Sequence, residues 1–293
     1  MNNMTIEKPA AHTALAALLK GYSAEVTTHD RASLEAAALL PRGTEVFIAA
    51  LMKDDPDRLV ATAMKVRQGG LEPVPHIVAR NIRSTADLDN LLARLSGEAG
   101  VERALVLGGD RDKAAGELES SLQLIETGLF QKHGIKRIAI GCYPEGHPRI
   151  AGPVLDAARA AKLRAAEQAG LDVVLVSQFC FDAPPILSLA RHMRAQGCKA
   201  PFRVGVAGPA DRATLVKYAL ICGVGPSLRA LKERQSLARN MLSGETPEGV
   251  LGEVAAAQNA EPSLGISGVH FFTFGALANT IKWVESCTRD AGQ

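Results

Sequence analysis

The sequence predicts an α/β fold, a closed (β/α)8 barrel of eight parallel strands. Short β-rich runs alternate with longer amphipathic runs about eight times along the 293 residues, and no structureless linker interrupts the series. Most short runs are continuously apolar, as in parallel strands that are covered on both faces. We therefore expect one barrel domain spanning residues 1–293. A doubly wound open sheet is the alternative that the same alternation allows.

The elements follow in order. A helix precedes the first strand, and the segments 55–70, 84–100, 160–172 and 184–199 carry helix signals. DPDRLVATAMKVRQGG begins with Asp-Pro and ends with Gly-Gly, and STADLDNLLARLSGEAG begins with Ser-Thr and ends with Gly. Residues 210–262 are longer than one crossover needs and predict two or three helices before the last strand. The candidate strands are residues 23–28, 45–52, 73–79, 103–109, 137–142, 172–179, 202–208 and 268–274.

Composition and net charge indicate which partners and which cell compartment to expect. The net charge is +2 with bases and acids interspersed, and 4% of residues are aromatic, which argues against a nucleic-acid partner. Five scattered cysteines show no metal-ligand spacing and fit a reducing compartment. No signal peptide and no apolar run of about 20 residues is evident. We expect a soluble cytoplasmic protein without a metal, and the oligomeric state stays open.

Polar residues fall at or near the ends of the candidate strands, where a barrel carries its active site. Each has a simpler explanation: His76 and His270 as core histidines, Asp110 as a helix N-cap, and the Pro-bounded CYPEGHP segment as a rigid turn. Glu25 in an apolar strand is costly unless it has a role, such as proton donation. Their common position favours a site. The set is Glu25, His29, His76, Asp110, Tyr143, Glu145, His147, Gln178, Asp182 and His270.

Glycine motifs give weaker signals. LGGD, with Gly109, lets the backbone approach a ligand closely, but it is not a dinucleotide fingerprint. No Walker motif or nucleophile elbow is present. GVGPS (223–227) predicts a turn between helices, with a phosphate cradle as the lesser alternative.

Six segments match the motifs of one known family in the same order, from about residue 20 to residue 285. CYPEGHP and VSQFCFD match YPExHP and QFxFD, which are the specific motifs, and the other four matches are individually weak. SAEV matches the SFEFFPP of strand one, PHI the PH motif, VLGGD the LRGD, and GVHFFTF the FHFYTLN. In these segments the chain resembles the methylenetetrahydrofolate reductase family.

The resemblance implies a (β/α)8 barrel that interconverts 5,10-methylenetetrahydrofolate and 5-methyltetrahydrofolate with NAD(P)H, typically through FAD. It implies that Glu25 is the catalytic acid and that Asp110 stabilises the iminium cation and contacts the folate. Gln178, with Phe179 beside it, matches the position that contacts the pterin. The positions that line the flavin are His76, Gly109, Tyr143 and His147.

Departures from the family pattern put the flavin in question. VTTHD replaces FFPP after Glu25, Gly108 replaces the Arg of LRGD, and IAALMK replaces a Thr and a Tyr-Gly pair. Alanines occupy places in PVLDAARAAKLRAAEQAG where the family grips the FAD phosphates, so a buried pyrophosphate would lack cations. The substitutes are Asp156, Arg159, Lys162 and Arg164. We hypothesise that FAD binds weakly or not at all and that hydride passes directly from NAD(P)H to the folate.

Two other functions compete. A pterin-dependent one-carbon transferase needs the same glutamine and acid without redox chemistry. A non-catalytic folate-binding barrel needs only the pocket, but Glu25, Asp110 and Gln178 together argue against a decayed site. Barrels host many reactions, so the residues rather than the fold must decide.

Overall fold

A computed structural model describes residues 7–51, 54–224 and 246–289, with side chains from residue 12 onward. Eight strands close into a barrel in chain order, β1 to β8, and the paired strands run parallel. The (β/α)8 prediction is confirmed. The strands are β1 Ser23–Thr27, β2 Glu45–Ala49, β3 Glu72–Val78, β4 Arg103–Leu107, β5 Arg137–Cys142, β6 Asp172–Ser177, β7 Phe202–Ala207 and β8 Ile266–Phe272.

Several strands end earlier than the apolar pattern predicts, each for a local reason. Beyond β2, the Leu51 amide donates to the Asp54 carboxylate at 2.9 Å. Beyond β6, the Phe179 amide donates to the Gln178 side chain at 3.0 Å. Beyond β4, Gly109 adopts φ +101°. Side chains or special backbone conformations thus replace the strand ladder at these ends.

The helices of the described chain alternate with the strands. They are α1 Glu7–Leu19, α2 Arg31–Ala36, α3 Pro56–Gln68, α4 Thr85–Ala99, α5 Ser121–Glu126, α6 Leu129–Lys132, α7 Gly152–Gln168, α8 Ala183–Ala195, α9 Arg212–Ile221, α10 Glu248–Ala260 and α11 Leu277–Arg289. Asp55 caps α3 and Ser84 caps α4, and Gly100 closes α4 at φ 59°. The N-terminal helix and the extra helices before β8 are confirmed. No helix in these residues is long and apolar enough to cross a membrane.

The chain divides into two compact units. Unit A contains residues up to Ala24, Tyr143–Pro148 and residues from Ser177 onward, and unit B contains Glu25–Cys142 and Arg149–Val176. The prediction of a single domain stays a prediction. In unit B, an apolar cluster joins one interior residue from each of β2 to β6: Phe47, Val74, Leu105, Ala139 and Val176. In unit A, a second cluster includes Phe179, Phe181, Ala207, Leu215 and Val224.

The amino ends of β2 to β6 carry a network of charges in unit B. Arg103 Nε lies 3.3 Å from Glu45 Oε1, and its Nη1 lies 3.0 Å from Glu72 Oε2. Arg67 makes a bidentate contact with Glu72 at 2.6 and 3.0 Å, and Arg137 lies 3.8 Å from Glu45. Because arginine remains charged at any ordinary pH, these partly buried carboxylates have permanent counterions.

Candidate active site

The first part of the candidate site is a buried acid–base pair in unit B. Glu25 is the third residue of β1, and its carboxyl oxygen Oε2 lies 3.2 Å from Nε2 of His76 on β3. The two side chains are 18% and 8% exposed, so the contact lies largely out of water. It is a close approach without the alignment of a hydrogen bond. The sequence predicted both residues but not their contact.

Interior packing holds this pair in place. His76 follows Val74 by two residues on β3 and therefore faces the same side, and it is in register with Leu105 of β4. Val74 and Leu105 belong to the apolar cluster of unit B with Phe47. Glu25 thus meets an ionisable partner directly above an apolar interior.

Asp110 lies in the loop that follows β4. The alternative that it caps a helix is wrong, because the next helix, α5, begins at Ser121 with a capping box formed by Ser120 and Gln123. The Asp110 side chain is 89% exposed, and its carboxylate lies 3.8 Å from Arg149 Nη2. Arg149 contacts Asp112 more closely, at 3.1 Å.

Two residues fix the path of this loop. Arg80 donates to the carbonyl oxygens of Glu119 at 3.0 Å and Arg111 at 2.7 Å. Gly109 is required by its φ of +101° and by contact, because a Cβ there would lie 2.5 Å from Cγ1 of Val78. The glycine therefore has a packing explanation, and its predicted cofactor contact stays a prediction.

Residues 143–148 of the CYPEGHP segment form a tight turn in unit A. The Gly146 amide donates to the Tyr143 carbonyl at 3.1 Å, with Pro144 at the second position and Gly146 at φ +77°. The rings of Tyr143 and His147 meet edge to face, with centroids 5.0 Å apart. The turn thus presents two rings in fixed orientations. Their predicted contact with a flavin is not tested by this geometry.

A shallow surface depression lies beside this turn. Gln178, which follows β6, lines it, and its side-chain oxygen accepts the Phe179 amide hydrogen at 3.0 Å. That bond holds the side chain and leaves the amide nitrogen to donate to a ligand. The residues that line the depression are Tyr143, Pro144, Glu145, Gly146, Gln178, Phe179, Cys222, Gly223 and Val224.

The wall formed by the end of α9 was not predicted from sequence. Gly223 adopts φ +71°, and a Cβ there would lie 2.9 Å from Cγ of Pro148. The close approach brings the α9 terminus against the CYPEGHP turn. Of the GVGPS segment, which was predicted to be a turn between helices, the structure describes Gly223 and Val224. Residues 225–227 lie outside the described chain.

Phe179 lies behind the depression in an aromatic cluster. Its ring centroid is 5.2 to 5.6 Å from those of Phe181, Phe272 and Phe274, and only 1% of the residue is exposed. Phe274 has φ 47°, the left-handed region that disfavours side chains. Its ring stacks on Tyr218 at 4.3 Å. Phe179 therefore packs behind the wall of the depression, and little of its ring is open to a ligand. The sequence did not indicate that Tyr218 belongs to this cluster.

His270 is a correction to the predicted rim. It lies in β8 with 1% exposure, and its Nδ1 lies 2.9 Å from Oγ of Ser23, the first residue of β1. Its ring meets Phe272 edge to face. It is a core histidine, as the simpler explanation held, although its partner at Nδ1 is a hydroxyl group rather than the backbone.

The residues that replace the family's FFPP form a second polar centre in unit B. The Asp54 carboxylate accepts from Thr28 Oγ1 at 2.7 Å and from His29 Nε2 at 2.6 Å. Burial favours a higher pKa for Asp54, but the hydrogen bonds from Leu51, His29 and Thr28 outweigh it and lower the pKa. This centre ties the β1 loop to the β2 loop. The sequence singled out His29 but not Asp54.

Two of the three cations proposed as substitutes for the FAD phosphate grip are poorly suited to that role. Arg159 is 8% exposed and donates to Asp156 at 2.7 Å. Burial lowers the pKa of Lys162, with Cys142 raising it and Arg159 lowering it further. A buried, already paired arginine and a desolvated lysine offer little to a pyrophosphate. Arg164 is exposed. Within the described part of the chain, no three His, Cys, Asp or Glu side chains form a group that could hold a metal.

The sequence-predicted residues thus fall into two groups. Unit B contains the Glu25–His76 contact and the Asp110 loop, and unit A contains the Tyr143–His147 turn with Gln178 and Phe179. Asp182 precedes α8, and Glu145 lies in the turn. Glu25 contacts His76 in the first group, and Tyr143, Gln178 and Phe179 line one depression in the second.

No protein-family model matches the sequence. An uncharacterized protein from Clostridium thermocellum that binds two copies of 5-methyl-5,6,7,8-tetrahydrofolic acid is similar in structure, with a TM-score of 0.56, 11% identity and coverage of 94% of this chain and 96% of that one. A 2,3-dimethylmalate lyase of the PEP mutase/isocitrate lyase superfamily is similar with a TM-score of 0.50 and 11% identity, over 100% of this chain and 88% of that one. Dihydropteroate synthase from Thermus thermophilus has a TM-score of 0.46 and 18% identity, over 90% of this chain and 92% of that one. The first two likenesses support the barrel fold.

Proposed function

We propose that this protein is a methylenetetrahydrofolate reductase-like oxidoreductase that interconverts 5,10-methylenetetrahydrofolate and 5-methyltetrahydrofolate with NAD(P)H. The observation that carries the proposal is the Glu25–His76 contact at 3.2 Å. It gives the residue that the resemblance assigns as catalytic acid a buried, ionisable partner. A largely buried carboxyl group with a neighbour that can accept or donate a proton is suited to general-acid catalysis.

The residues divide the chemistry between them. Glu25 protonates the folate nitrogen that leaves the methylene bridge, and the bridge opens to an iminium cation. Asp110 stabilises that cation while hydride arrives from the nicotinamide. Its 89% exposure leaves the carboxylate accessible to an incoming ligand. Its contacts with Arg149 are exposed and weak enough to be exchanged for a ligand cation.

Gln178 and the depression around it hold the pterin ring in this proposal. The ring is flat and rich in hydrogen-bonding groups, and the amide nitrogen of Gln178 can donate to it. Tyr143 supplies a ring wall, while Phe179, Phe272 and Phe274 keep the floor rigid.

We also propose that the reaction runs without a tightly bound flavin. In the family, FAD supplies a hydride relay between nicotinamide and folate. Here the pairing of Arg159 with Asp156 and the desolvation of Lys162 make α7 a poor site for the FAD pyrophosphate. In the absence of a flavin, the role of Tyr143 and His147 is to contact the substrates.

The similar barrel from Clostridium thermocellum, which binds 5-methyl-5,6,7,8-tetrahydrofolic acid, supports the proposal in one respect. A barrel of this size and connectivity can accommodate a reduced folate. Its reaction does not transfer to this chain at 11% identity.

The deciding experiment follows NADH and NADPH oxidation by the purified protein with 5,10-methylenetetrahydrofolate and identifies 5-methyltetrahydrofolate by mass spectrometry. The reverse direction is assayed with 5-methyltetrahydrofolate and NAD(P)+. We expect wild type to form methyltetrahydrofolate. Glu25→Gln should form it far more slowly, and Glu35→Gln, on exposed α2, should form it at the wild-type rate. Folate binding without nicotinamide oxidation would instead favour the transferase or the binding protein.

The flavin proposal has its own test. A visible absorption spectrum of the purified protein, repeated after denaturation, detects bound flavin without any assay of activity. Turnover by protein without flavin absorption is expected. A stoichiometric flavin released on denaturation would contradict this part of the proposal and leave the reductase assignment standing.

A further inference from the structure

The resemblance assigns His76 to the flavin, but the structure places it against the proposed catalytic acid. Its Nε2 lies 3.2 Å from Glu25 Oε2, and both side chains are largely buried. A residue that contacts Glu25 this closely can stabilise the carboxylate form and exchange a proton with it. Its expected role therefore changes from lining a cofactor to serving the acid.

The surroundings favour this pairing. The interior side chains beside His76 on β2, β3 and β4 include Phe47, Val74, Leu105 and Leu107, which cannot ionise. Glu25 is the charged side chain that the described contacts set against the ring. In a medium of lowered polarity the Glu25 carboxylate, once it has lost its proton, gains more from a neighbouring imidazolium than it would in water.

We propose that His76 is a positioning and proton-return residue that holds Glu25 and restores its proton in each turnover. The inference rests on the proposed function for the identity of the ligand. Glu25 gives its proton to the bridge nitrogen as the carbon–nitrogen bond breaks, and hydride from NAD(P)H bonds to the methylene carbon. Protonated His76 then transfers its Nε2 proton to the Glu25 carboxylate and takes a proton from water. One proton from solvent is consumed per methyl group formed.

The kinetic test compares His76→Gln with wild type. Glutamine fills similar space and can donate a hydrogen bond, but it cannot deliver a proton. We expect kcat to fall about 10- to 100-fold with the folate and nicotinamide KM values unchanged. His133→Gln is the matched control, because His133 contacts the carboxylate of Asp89 at 2.6 Å away from the strands and its loss leaves kcat unchanged.

Chemical rescue separates proton return from support of the fold. In His76→Ala, added imidazole restores kcat in proportion to its concentration, whereas it does not affect His133→Gln. A His76→Gln variant with full kcat, or a slow His76→Ala variant that imidazole cannot rescue, would overturn the proposal.

A third measurement is independent of folate. In the full chain without ligand, the 15N resonances of the His76 ring, assigned by their loss in His76→Gln, should shift when Glu25 becomes Gln at neutral pH. Ring resonances whose chemical shifts do not change in Glu25→Gln would overturn the inference even if the enzyme turns over. If wild type makes no methyltetrahydrofolate while these resonances shift, the proposed function fails and the Glu25–His76 contact stands.

Discussion

The strands of unit B carry buried or half-buried carboxylates at their amino ends and in the interior, and the two places differ in the partners of those carboxylates. At the amino ends, Glu45 and Glu72 face Arg103, Arg67 and Arg137. Further along the interior, Glu25 faces His76. Arginine keeps its charge, so the first arrangement is fixed across the pH range of a cell. An imidazole, unlike a guanidinium, can also be neutral, so the second contact is not a permanent ion pair.

Within one set of strands, the carboxylates that stabilise the fold are therefore different from the carboxylate proposed for catalysis. A carboxylate with several guanidinium contacts stays ionised and is a poor proton donor. An imidazole supplies no permanent charge that would hold a neighbouring carboxyl group ionised. The ion pairs at the amino ends should therefore contribute to folding, and the Glu25–His76 pair to turnover.

The largest expected effect tests this separation directly. Glu25→Gln removes the proton donor and should lower kcat for methyltetrahydrofolate formation by about 10²- to 10⁴-fold with little change in unfolding free energy. Glu45→Gln should have the opposite profile, with lower stability and normal kcat. Parallel steady-state kinetics and urea titrations of the two variants provide the measurement. Equal kinetic losses in both variants would break the comparison.

Gly109→Ala should destabilise the loop at the carboxyl end of β4. The added methyl group meets Cγ1 of Val78 at 2.5 Å, and φ +101° is strained for alanine. We expect a loss of about 2–4 kcal/mol in unfolding free energy from strain and overlap together. Gly97→Ala, on α4 with open space around it, is the control and should be neutral or slightly stabilising. A stable Gly109→Ala variant would show that the loop is free to move.

Arg103→Met sharpens the amino-end half of the comparison. It removes the guanidinium shared by Glu45 and Glu72 while keeping much of the side-chain volume. Because the arginine is 28% exposed, the loss should be about 1–3 kcal/mol, less than for a fully buried pair. Urea unfolding measures it, and kcat of the folded variant should match wild type. Arg31→Met, exposed on α2, is the control.

The smallest effect concerns Asp54. Its lowered pKa means that folding favours the ionised carboxylate, so its contribution is present above the usual value of 3.8 and is lost as the pH falls through the folded pKa. Asp54→Asn should cost about 1–2 kcal/mol at neutral pH, and the gap to wild type should narrow in acid. Urea titrations over a pH series measure the gap. A gap that is constant with pH would exclude the charge as its cause.

Sequence patterns predicted the architecture because each strand carries its own signal. The apolar runs placed all eight strands to within a few residues, and the caps at Ser84 and Asp55 predicted α4 and α3. Errors came where a distant or special contact decided the outcome. The pattern extended β2 past Ala49 because the bond from Leu51 to Asp54 is not visible in a window of apolar residues.

The candidate site was predictable in its residues more than in its contacts. Glu25, His76 and Gln178 stood out as polar groups in or after apolar strands. Their partners did not, since the Glu25–His76 contact spans 51 positions of chain and depends on barrel register. The charges at the amino ends were missed for the same reason, because a single Glu or Arg at the start of a strand looks like an ordinary solvated end. His270 was misplaced because sequence alone does not give depth along a strand.

The approach of Gly223 to Pro148 has an evolutionary consequence. A side chain at position 223 would overlap the proline ring, because its Cβ would lie only 2.9 Å from Cγ, and both residues border the depression or its turn. The two positions are therefore constrained as a pair. In descendants of this chain, a bulkier residue at 223 should be inherited together with a smaller residue at 148, and such paired changes would mark lineages in which the mouth of the depression has been reshaped.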